Sequence, residues 1–203
     1  QRLAAVDAGS APLVRAEQHL TEARPVHAIN TLDVAALQPL PPRGLWLRGQ
    51  ALEQAGRSHE AYGQLGALRQ SKVLPADSVE GLEKRLALMA LSEAPDVNAL
   101  AAQWDATPKA LRSDPEGVMF YTHRAGELGW EEPALLALEQ SLDQGWDESL
   151  VQTYGTFPTS RLATRQANLE RWYKLHPTSP GLQLALARVA IAEGRHEQGD
   201  TLL

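Results

Sequence analysis

Apolar residues recur along this chain of 203 residues in paired segments of helical spacing, and the pair returns about every 34 residues. The clearest pair occupies residues 45–75. Its packing positions are Leu45, Gly49, Leu52, Gly56, Ala61, Leu65 and Leu68. Gly49 and Ala61 are small enough to let two helices approach closely, and Gly56 can end the first helix in the left-handed conformation. The pattern therefore predicts helix–turn–helix units that stack on one another.

Two small-residue positions can be followed through the whole chain. In the first helix of each pair they fall at Ala16, Gly49, Leu88, Thr122, Thr153 and Ala187. In the second helix they fall at Ala28, Ala61, Leu100, Ala134, Arg165 and Gly199. The third and fifth copies are degraded, and the others fit well. The spacing resembles that of tetratricopeptide repeats, so we predict an all-α fold, a right-handed superhelical solenoid of about six helix pairs forming one domain over residues 1–203.

Local signals place the ends of about twelve helices, and no segment alternates cleanly enough to be a strand. Serines with a proline in the following turn predict helix N-termini at Ser10, Ser113 and Ser179. Capping boxes are predicted at residues 77–80 and 113–116. Acidic residues are expected to start helices at Glu131–Glu132 and Asp147–Glu148. Glycines are expected to end helices at Gly56, Gly129 and Gly194.

Composition excludes several classes of function. The chain has no cysteine, which rules out thiol catalysis, disulfides and zinc held by thiolates. Its formal net charge is −6 at pH 7 and the charges are scattered, which argues against a nucleic-acid-binding stripe. The sequence contains no phosphate-binding loop, nucleophile elbow or metal-binding histidine pair. We therefore predict no catalytic residues, no metal site and no cofactor.

The five tryptophans are expected mainly to fill the space between neighbouring helix pairs. Trp46 is the exception, because it lies three residues before Gly49, at a position that should face the concave surface of a superhelix. Arginine, glutamine and exposed apolar side chains should share that surface, which suits an extended peptide or a protein edge. The predicted partner-binding groove comprises Arg43, Trp46, Gln50, Gln54, Arg85, Met89, Met119, His123, Glu127, Leu184 and Arg188.

Two segments carry a resemblance to a known family. The first is Trp146–Gly155, with the sequence WDESLVQTYG, and the second is Leu169–Pro177, with the sequence LERWYKLHP. Both resemble segments of the proteobacterial HemY-like proteins, as does the stretch from Leu182 to Ala192. The resemblance covers roughly residues 45–203, and the chain departs from the family's pattern at residues 193–200, which lack its Trp-Gly pair. This family is distinct from the flavin-dependent protoporphyrinogen oxidase that shares the label.

The resemblance implies an inner-membrane protein with two N-terminal membrane helices and a tetratricopeptide-repeat region on the cytoplasmic face, the periplasmic face being the alternative. It also implies an association with haem (tetrapyrrole) biosynthesis and no established catalytic activity. This chain itself has no run of about 18 apolar residues that could span a membrane. Since it begins at Gln1 without a methionine, we expect a piece of a longer, membrane-anchored protein.

We therefore expect a non-enzymatic scaffold whose concave groove binds proteins, haem-biosynthesis enzymes among them, and not nucleic acid. One alternative is a carrier of porphyrin or haem, in which His123 or Met119 would be the axial ligand because both are predicted to lie on the inner face. A second alternative is a general envelope assembly factor with the same repeats. A third, an enzyme, is supported by no motif. The oligomeric state and the identity of the partner stay open at this point.

Overall fold

The computed structural model describes residues 2–34, 37–192 and 194–195. Within these residues the chain forms thirteen α-helices and no β-strand, which confirms the predicted all-α class. The chain divides into two compact units, Gln1–Glu93 and Ala94–Leu203.

The first unit contains six helices in its described residues. They are α1 (Arg2–Thr21), α2 (Pro25–Leu32), α3 (Pro42–Gln54), α4 (Ser58–Gly63), α5 (Leu65–Ser71) and α6 (Ala76–Ser92). α2 packs on α1 and α3, and α6 packs on α4 and α5. Ala28, Leu52 and Leu68 belong to the buried core of this unit. Each helix thus buries its apolar side against its neighbours along the chain.

The second unit contains seven helices in its described residues. They are α7 (Val97–Ala106), α8 (Lys109–Arg112), α9 (Pro115–Glu127), α10 (Glu131–Gln144), α11 (Glu148–Thr156), α12 (Leu162–Tyr173) and α13 (Pro180–Ala192). α9 packs on α7, α8, α10 and α11, and α13 packs on α11 and α12. Trp172 and Tyr154 are among the largest fully buried side chains. Since α11 contacts both α9 and α13, these three helices, each the first helix of a pair, lie side by side.

The predicted repeat positions fall in helices wherever the chain is described. The first-helix positions lie in α1, α3, α6, α9, α11 and α13, and the second-helix positions lie in α2, α4, α7, α10 and α12. Gly199 lies outside the described residues. Gly49 and Thr153 are half-buried and the other described positions are buried, Arg165 included. The third and fifth copies therefore keep the same pattern of burial although their sequences are degraded.

Two short helices go beyond the predicted pairs. α8 is a single turn after α7, and α5 continues the second helix of the second pair after an interruption at Gln64. Gly63 and Gly66 flank that interruption, and glycine costs about 1 kcal/mol relative to alanine in a helix interior. Low local helix propensity at these two glycines explains why the second helix is broken there.

The predicted glycine helix ends are confirmed. Gly56, Gly129 and Gly194 have φ angles of +66°, +70° and +76°, in the left-handed region that glycine enters without a steric cost. The helix expected after Gly129 begins at Glu131. Its acidic first turn suits the positive end of the helix dipole.

Two predicted side-chain caps are also confirmed. The Asp147 carboxylate accepts hydrogen bonds from two backbone N–H groups in the first turn of α11, with donor–acceptor distances of 2.9 and 3.0 Å. The Ser179 hydroxyl oxygen accepts one from the first turn of α13 at 3.1 Å. Both satisfy donors that have no partner inside their own helix.

The predicted helix start at Ser10 is wrong, because α1 continues from Arg2 to Thr21 through Pro12. A proline inside a helix forfeits one backbone hydrogen bond. Alanines occupy positions 4, 5, 8 and 11, and alanine is the strongest helix former. The helix therefore extends on both sides of the proline.

The capping boxes predicted at residues 77–80 and 113–116 are wrong as well. The N-cap of α9 is Asp114, which accepts the backbone N–H of Glu116, because Ser113 is taken up as the C-cap of α8. α6 begins at Ala76, directly after the extended Pro75, and has no side-chain cap. In both places the preceding segment shifts the helix boundary.

Polar contacts between helices recur at about one repeat length within each unit. The contacting side chains are 26 to 35 residues apart in sequence. They are Glu17 with Arg43, Glu53 with Arg85, Ser58 with Glu93, Glu131 with Thr159, Asp143 with Trp172, Glu148 with Ser179 and Gln166 with Arg195. Each contact fixes one helix relative to an element about one helix pair further along the chain.

Helices α11 and α13 approach each other closely at Gly155 of α11. A Cβ atom at this position would lie 2.6 Å from the Cβ atom of Ala185 in α13. We expect Gly155→Ala to lower the free energy of unfolding by about 1–3 kcal/mol, because either α13 must move or the contact is overpacked. Urea unfolding followed by circular dichroism measures this change.

Gly81 in α6 is the matched control, because a Cβ atom there would meet nothing within 4 Å. Gly81→Ala should raise stability by about 0.5–1 kcal/mol through helix propensity alone. A Gly155→Ala protein as stable as the wild type would contradict the close approach of α11 and α13.

Candidate functional site

A shallow depression of about 380 Å³ runs across three neighbouring first helices of the second unit. Its lining residues come from α9, α11 and α13, and none of them is buried. They are Met119, Ser149, Gln152, Thr153, Thr156, Leu184 and Arg188. Three residues of the predicted groove, Met119, Leu184 and Arg188, are therefore brought together.

The helical period explains why these side chains share one face. In α11, residues 149, 152, 153 and 156 follow the spacing of one helix stripe, whereas Leu150, Val151 and Tyr154 on the other side are buried. In α13, Leu184 and Arg188 are one turn apart. Packing the apolar side of each helix into the core thus leaves the polar stripe of α11 between Met119 and the α13 residues.

The depression combines two apolar groups with hydrogen-bonding groups. The Thr153 and Thr156 hydroxyls donate to backbone carbonyls one turn earlier, at 2.8 and 2.9 Å, so they present their oxygen lone pairs outward as acceptors. Arg188 is the single charged residue in the lining. It forms no ion pair with any residue that the structure describes. Its guanidinium is therefore available to a carboxylate from outside the chain.

Two further predicted residues lie one and two turns along α9 from Met119. His123 has a side chain that is 77% exposed, and its Nδ1 atom lies 3.6 Å from a carboxylate oxygen of Glu127. A hydrogen bond from Arg124 holds the pKa of Glu127 below its usual value. Neither His123 nor Glu127 lines the depression. The exposed imidazole lacks the apolar surroundings that would bury a porphyrin face.

The remaining six predicted residues belong to the first unit. Arg43 pairs with Glu17 and Arg85 with Glu53, contacts that join α3 to α1 and to α6. Trp46 is half-buried and packs against the core. Met89 and Gln50 are half-buried, and Gln54 is exposed. The two arginines therefore already have carboxylate partners, whereas Arg188 has none among the described residues.

The expectation that tryptophans fill the space between helices is confirmed in the second unit. Trp172 is 1% exposed, and Trp104 of α7 stacks on Tyr121 of α9 with ring centroids 4.2 Å apart. Trp146 stacks on His176 at 3.9 Å and meets Trp172 edge-on. The imidazole of His176 therefore packs on an indole ring.

The polar stripe of α11 is the part of the depression that sequence reasoning missed. Its residues belong to the fifth copy of the repeat, which is degraded in sequence. A signal was present nevertheless, because Ser149, Gln152, Thr153 and Thr156 are polar at positions i, i+3, i+4 and i+7. The buried apolar residues between them set the phase of the helix.

Glu148 positions α11 against α13 beside the depression. Its carboxylate accepts hydrogen bonds from the Ser179 hydroxyl at 3.0 Å, the Gly181 N–H at 3.2 Å and the Trp146 indole at 3.0 Å. Partial burial raises the pKa of Glu148, but these hydrogen bonds and the nearby His176 outweigh it, and the pKa lies below its usual value. The ionised form is therefore the one that the folded structure favours.

No group of three or more histidine, aspartate or glutamate residues that could hold a metal ion occurs in the described part of the chain. In residues 2–34, 37–192 and 194–195, no helix has the length and apolarity needed to cross a membrane. No family model, curated protein or solved structure matches the chain, so nothing in these comparisons identifies a HemY-like protein.

The hydrogen bonds of Glu148 predict a specific loss of stability in acid. Because the pKa is lower in the folded than in the unfolded state, the contribution is complete above the unfolded pKa and is lost as the pH falls through the folded pKa. We expect Glu148→Gln to lower the free energy of unfolding by about 1–2 kcal/mol at pH 7. The difference from the wild type should shrink as the pH falls below about 4.

Glu80→Gln is the control, because Glu80 is exposed on α6 and forms neither a hydrogen bond nor an ion pair with a described residue. Its replacement should change stability by less than about 0.5 kcal/mol. Urea unfolding at a series of pH values measures both variants. A Glu148→Gln effect that does not change with pH would rule out the ionised carboxylate as the stabilising form.

Proposed function

We propose that this chain is a non-enzymatic protein-interaction module of stacked helix pairs, of the tetratricopeptide type, which binds an extended segment of a partner protein in the depression on α9, α11 and α13. One observation carries the proposal: Met119, Leu184 and Arg188 line the same open depression as the polar stripe of α11. These residues come from three successive first helices, the elements that line the binding surface of such arrays.

The repeat geometry within each unit supports a stack of helix pairs. Equivalent positions in the first helix of each pair are buried or half-buried, and polar contacts join elements about one pair apart. Such a stack buries a continuous core between nearest neighbours. A right-handed superhelix of about six pairs belongs to this proposal.

The form of the depression favours a peptide over a small molecule. Pockets for small ligands enclose most of the ligand surface, whereas this depression is open along three helices. Met119 and Leu184 offer apolar contact, and Ser149 and Gln152 offer hydrogen bonds at the rim. An extended backbone can use both kinds of group along its length.

Arg188 determines the chemistry of the partner segment. It is the only charged residue in the lining and has no ion-pair partner among the described residues. An arginine of this kind is best satisfied by a carboxylate held in a bidentate hydrogen bond. The partner segment should therefore carry an acidic side chain, or its C-terminal carboxylate, next to an apolar residue.

The biological setting is proposed from the resemblance in residues 146–155 and 169–177. We place the chain in an inner-membrane protein of the HemY-like kind, with the module on the cytoplasmic face and enzymes of haem biosynthesis as partners. Leu150, Val151, Tyr154 and Trp172, which are among the resembling residues, are buried packing residues. Their resemblance supports a similar fold. The identity of the partner is tested by the crosslinking experiment described next.

A photocrosslinking amino acid at Gln152 tests the proposed surface, because this residue is exposed within the depression. The same group at Ala163, exposed on α12, is the positional control. We expect the full-length protein to crosslink a partner from position 152 only. The double variant Met119→Ala with Arg188→Ala should weaken binding of that partner by about tenfold or more.

The matched control for the double variant is Leu136→Ala with Lys174→Ala, which removes an exposed apolar group and a cation outside the depression. Equal loss in both double variants, or crosslinking from position 163 alone, would refute the binding surface. Mass spectrometry of the crosslinked partner addresses the setting separately. A haem-pathway enzyme would support the proposed setting. An envelope-assembly protein would contradict the link to haem biosynthesis but would still support the binding surface.

A further inference from the structure

A second cavity of the second unit lies between α7, α8 and α10 and shares no residue with the depression. Its volume is about 240 Å³, below the range of pockets for drug-sized ligands. It is lined by Trp104, Lys109, Arg112, Ser113, Ala137, Gln140, Ser141 and Gln144. Two cations, two hydroxyls and two amides therefore surround a small space that contains no carboxylate, in a chain whose net charge is −6.

The two cations are placed together by local structure. Lys109 and Arg112 are three residues apart in the single turn α8, a spacing that puts both on one side and makes like charges repel. Neither forms an ion pair with a described residue. The Nε atom of Arg112 is also buried without a hydrogen-bond partner in the described part of the chain. The desolvation of this guanidinium is therefore not fully compensated within the protein, and an anion bound at its terminal nitrogens would offset the cost.

The opposite wall supplies further donors at fixed positions. Gln140, Ser141 and Gln144 lie on one stripe of α10, next to the face that carries the buried Leu138 and Leu142. Trp104 is held by its stacking on Tyr121 and forms an aromatic part of the wall. The rigid helices therefore present hydroxyl and amide groups to the same space as the two cations.

Acidic residues that lie near the lining residues in sequence do not line the cavity. The Asp143 carboxylate accepts hydrogen bonds from Arg171 and from the Trp172 indole. Asp114 caps α9. Asp105 is exposed on α7 and is absent from the lining. The positive charge of Lys109 and Arg112 is therefore not neutralised from within the cavity.

We propose that this cavity binds a phosphate monoester. Such a group carries a charge of about −1.5 to −2 at pH 7 and three acceptor oxygens, which matches a lysine, an arginine fork and several neutral donors. A carboxylate has one charge and two oxygens and would leave donors unused. The phosphate belongs either to a small metabolite or to a phosphorylated side chain, and the indole of Trp104 offers contact to the carbon skeleton next to it.

Calorimetric titration with phenyl phosphate and with an acetylated phosphoserine peptide amide tests the site and its source. We expect saturable binding with one site per chain, and no binding of benzyl alcohol or of the unphosphorylated peptide. Lys109→Gln and Arg112→Gln should each weaken binding by about tenfold or more. Lys174→Gln, which removes the same charge from an exposed position outside the cavity, should change it by less than about twofold.

Lys109 is exposed, so Lys109→Gln tests the site even if Arg112→Gln proves unstable by circular dichroism. Tighter binding of the phosphopeptide assigns the site to a phosphorylated side chain, and tighter binding of phenyl phosphate assigns it to a small metabolite. The proposal would be overturned if neither probe saturated the site below about 10 mM. It would also be overturned if Lys174→Gln weakened binding as much as Lys109→Gln does.

Discussion

Close contact between first helices is the constraint on which the second unit depends. α11 can approach α13 at Gly155 because the residue has no Cβ atom, and Ala185 faces it with a single methyl group. Glu148 then joins the start of α11 to Ser179 and Gly181 at the start of α13. Because the two helices are fixed at both places, their outward stripes form one surface. A larger side chain at position 155 would separate the helices and the residues that line the depression.

Several acidic residues of the second unit accept hydrogen bonds from groups within the same unit. Asp114 and Asp147 cap helices, whereas Glu131, Asp143 and Glu148 join elements about one pair apart. Since these carboxylates are satisfied by backbone and side-chain donors, they do not reach Arg188, Lys109 or Arg112. A chain with an excess of acid thereby retains two places where a cation has no partner among the described residues. Local charge, and not net charge, decides what such places can bind.

The segments that carry the family resemblance are chiefly packing segments. Leu150, Val151 and Tyr154 are buried in α11, and Trp172 is buried in α12. Such residues determine how neighbouring helices meet, so a resemblance at these positions bears on the fold. The polar residues that would contact a partner, Gln152 among them, occupy the alternate stripe of the same helix. Residues that determine packing and residues that would contact a partner therefore alternate within one short stretch of sequence.

The sequence by itself determined the helical class, the helices that hold the repeat positions, and the glycine ends at Gly56 and Gly129, because helix periodicity and left-handed glycine are local properties. It misplaced the starts of α6 and α9, where Pro75 and the turn of α8 intervene. Only the tertiary structure decided that Arg43 and Arg85 are ion-paired, whereas Arg188 has no ion-pair partner in the described part of the chain. It also brought Lys109 and Arg112 to the stripe of α10. These relations join residues about 30 positions apart, and they depend on how far each helix is rotated about its own axis when it packs.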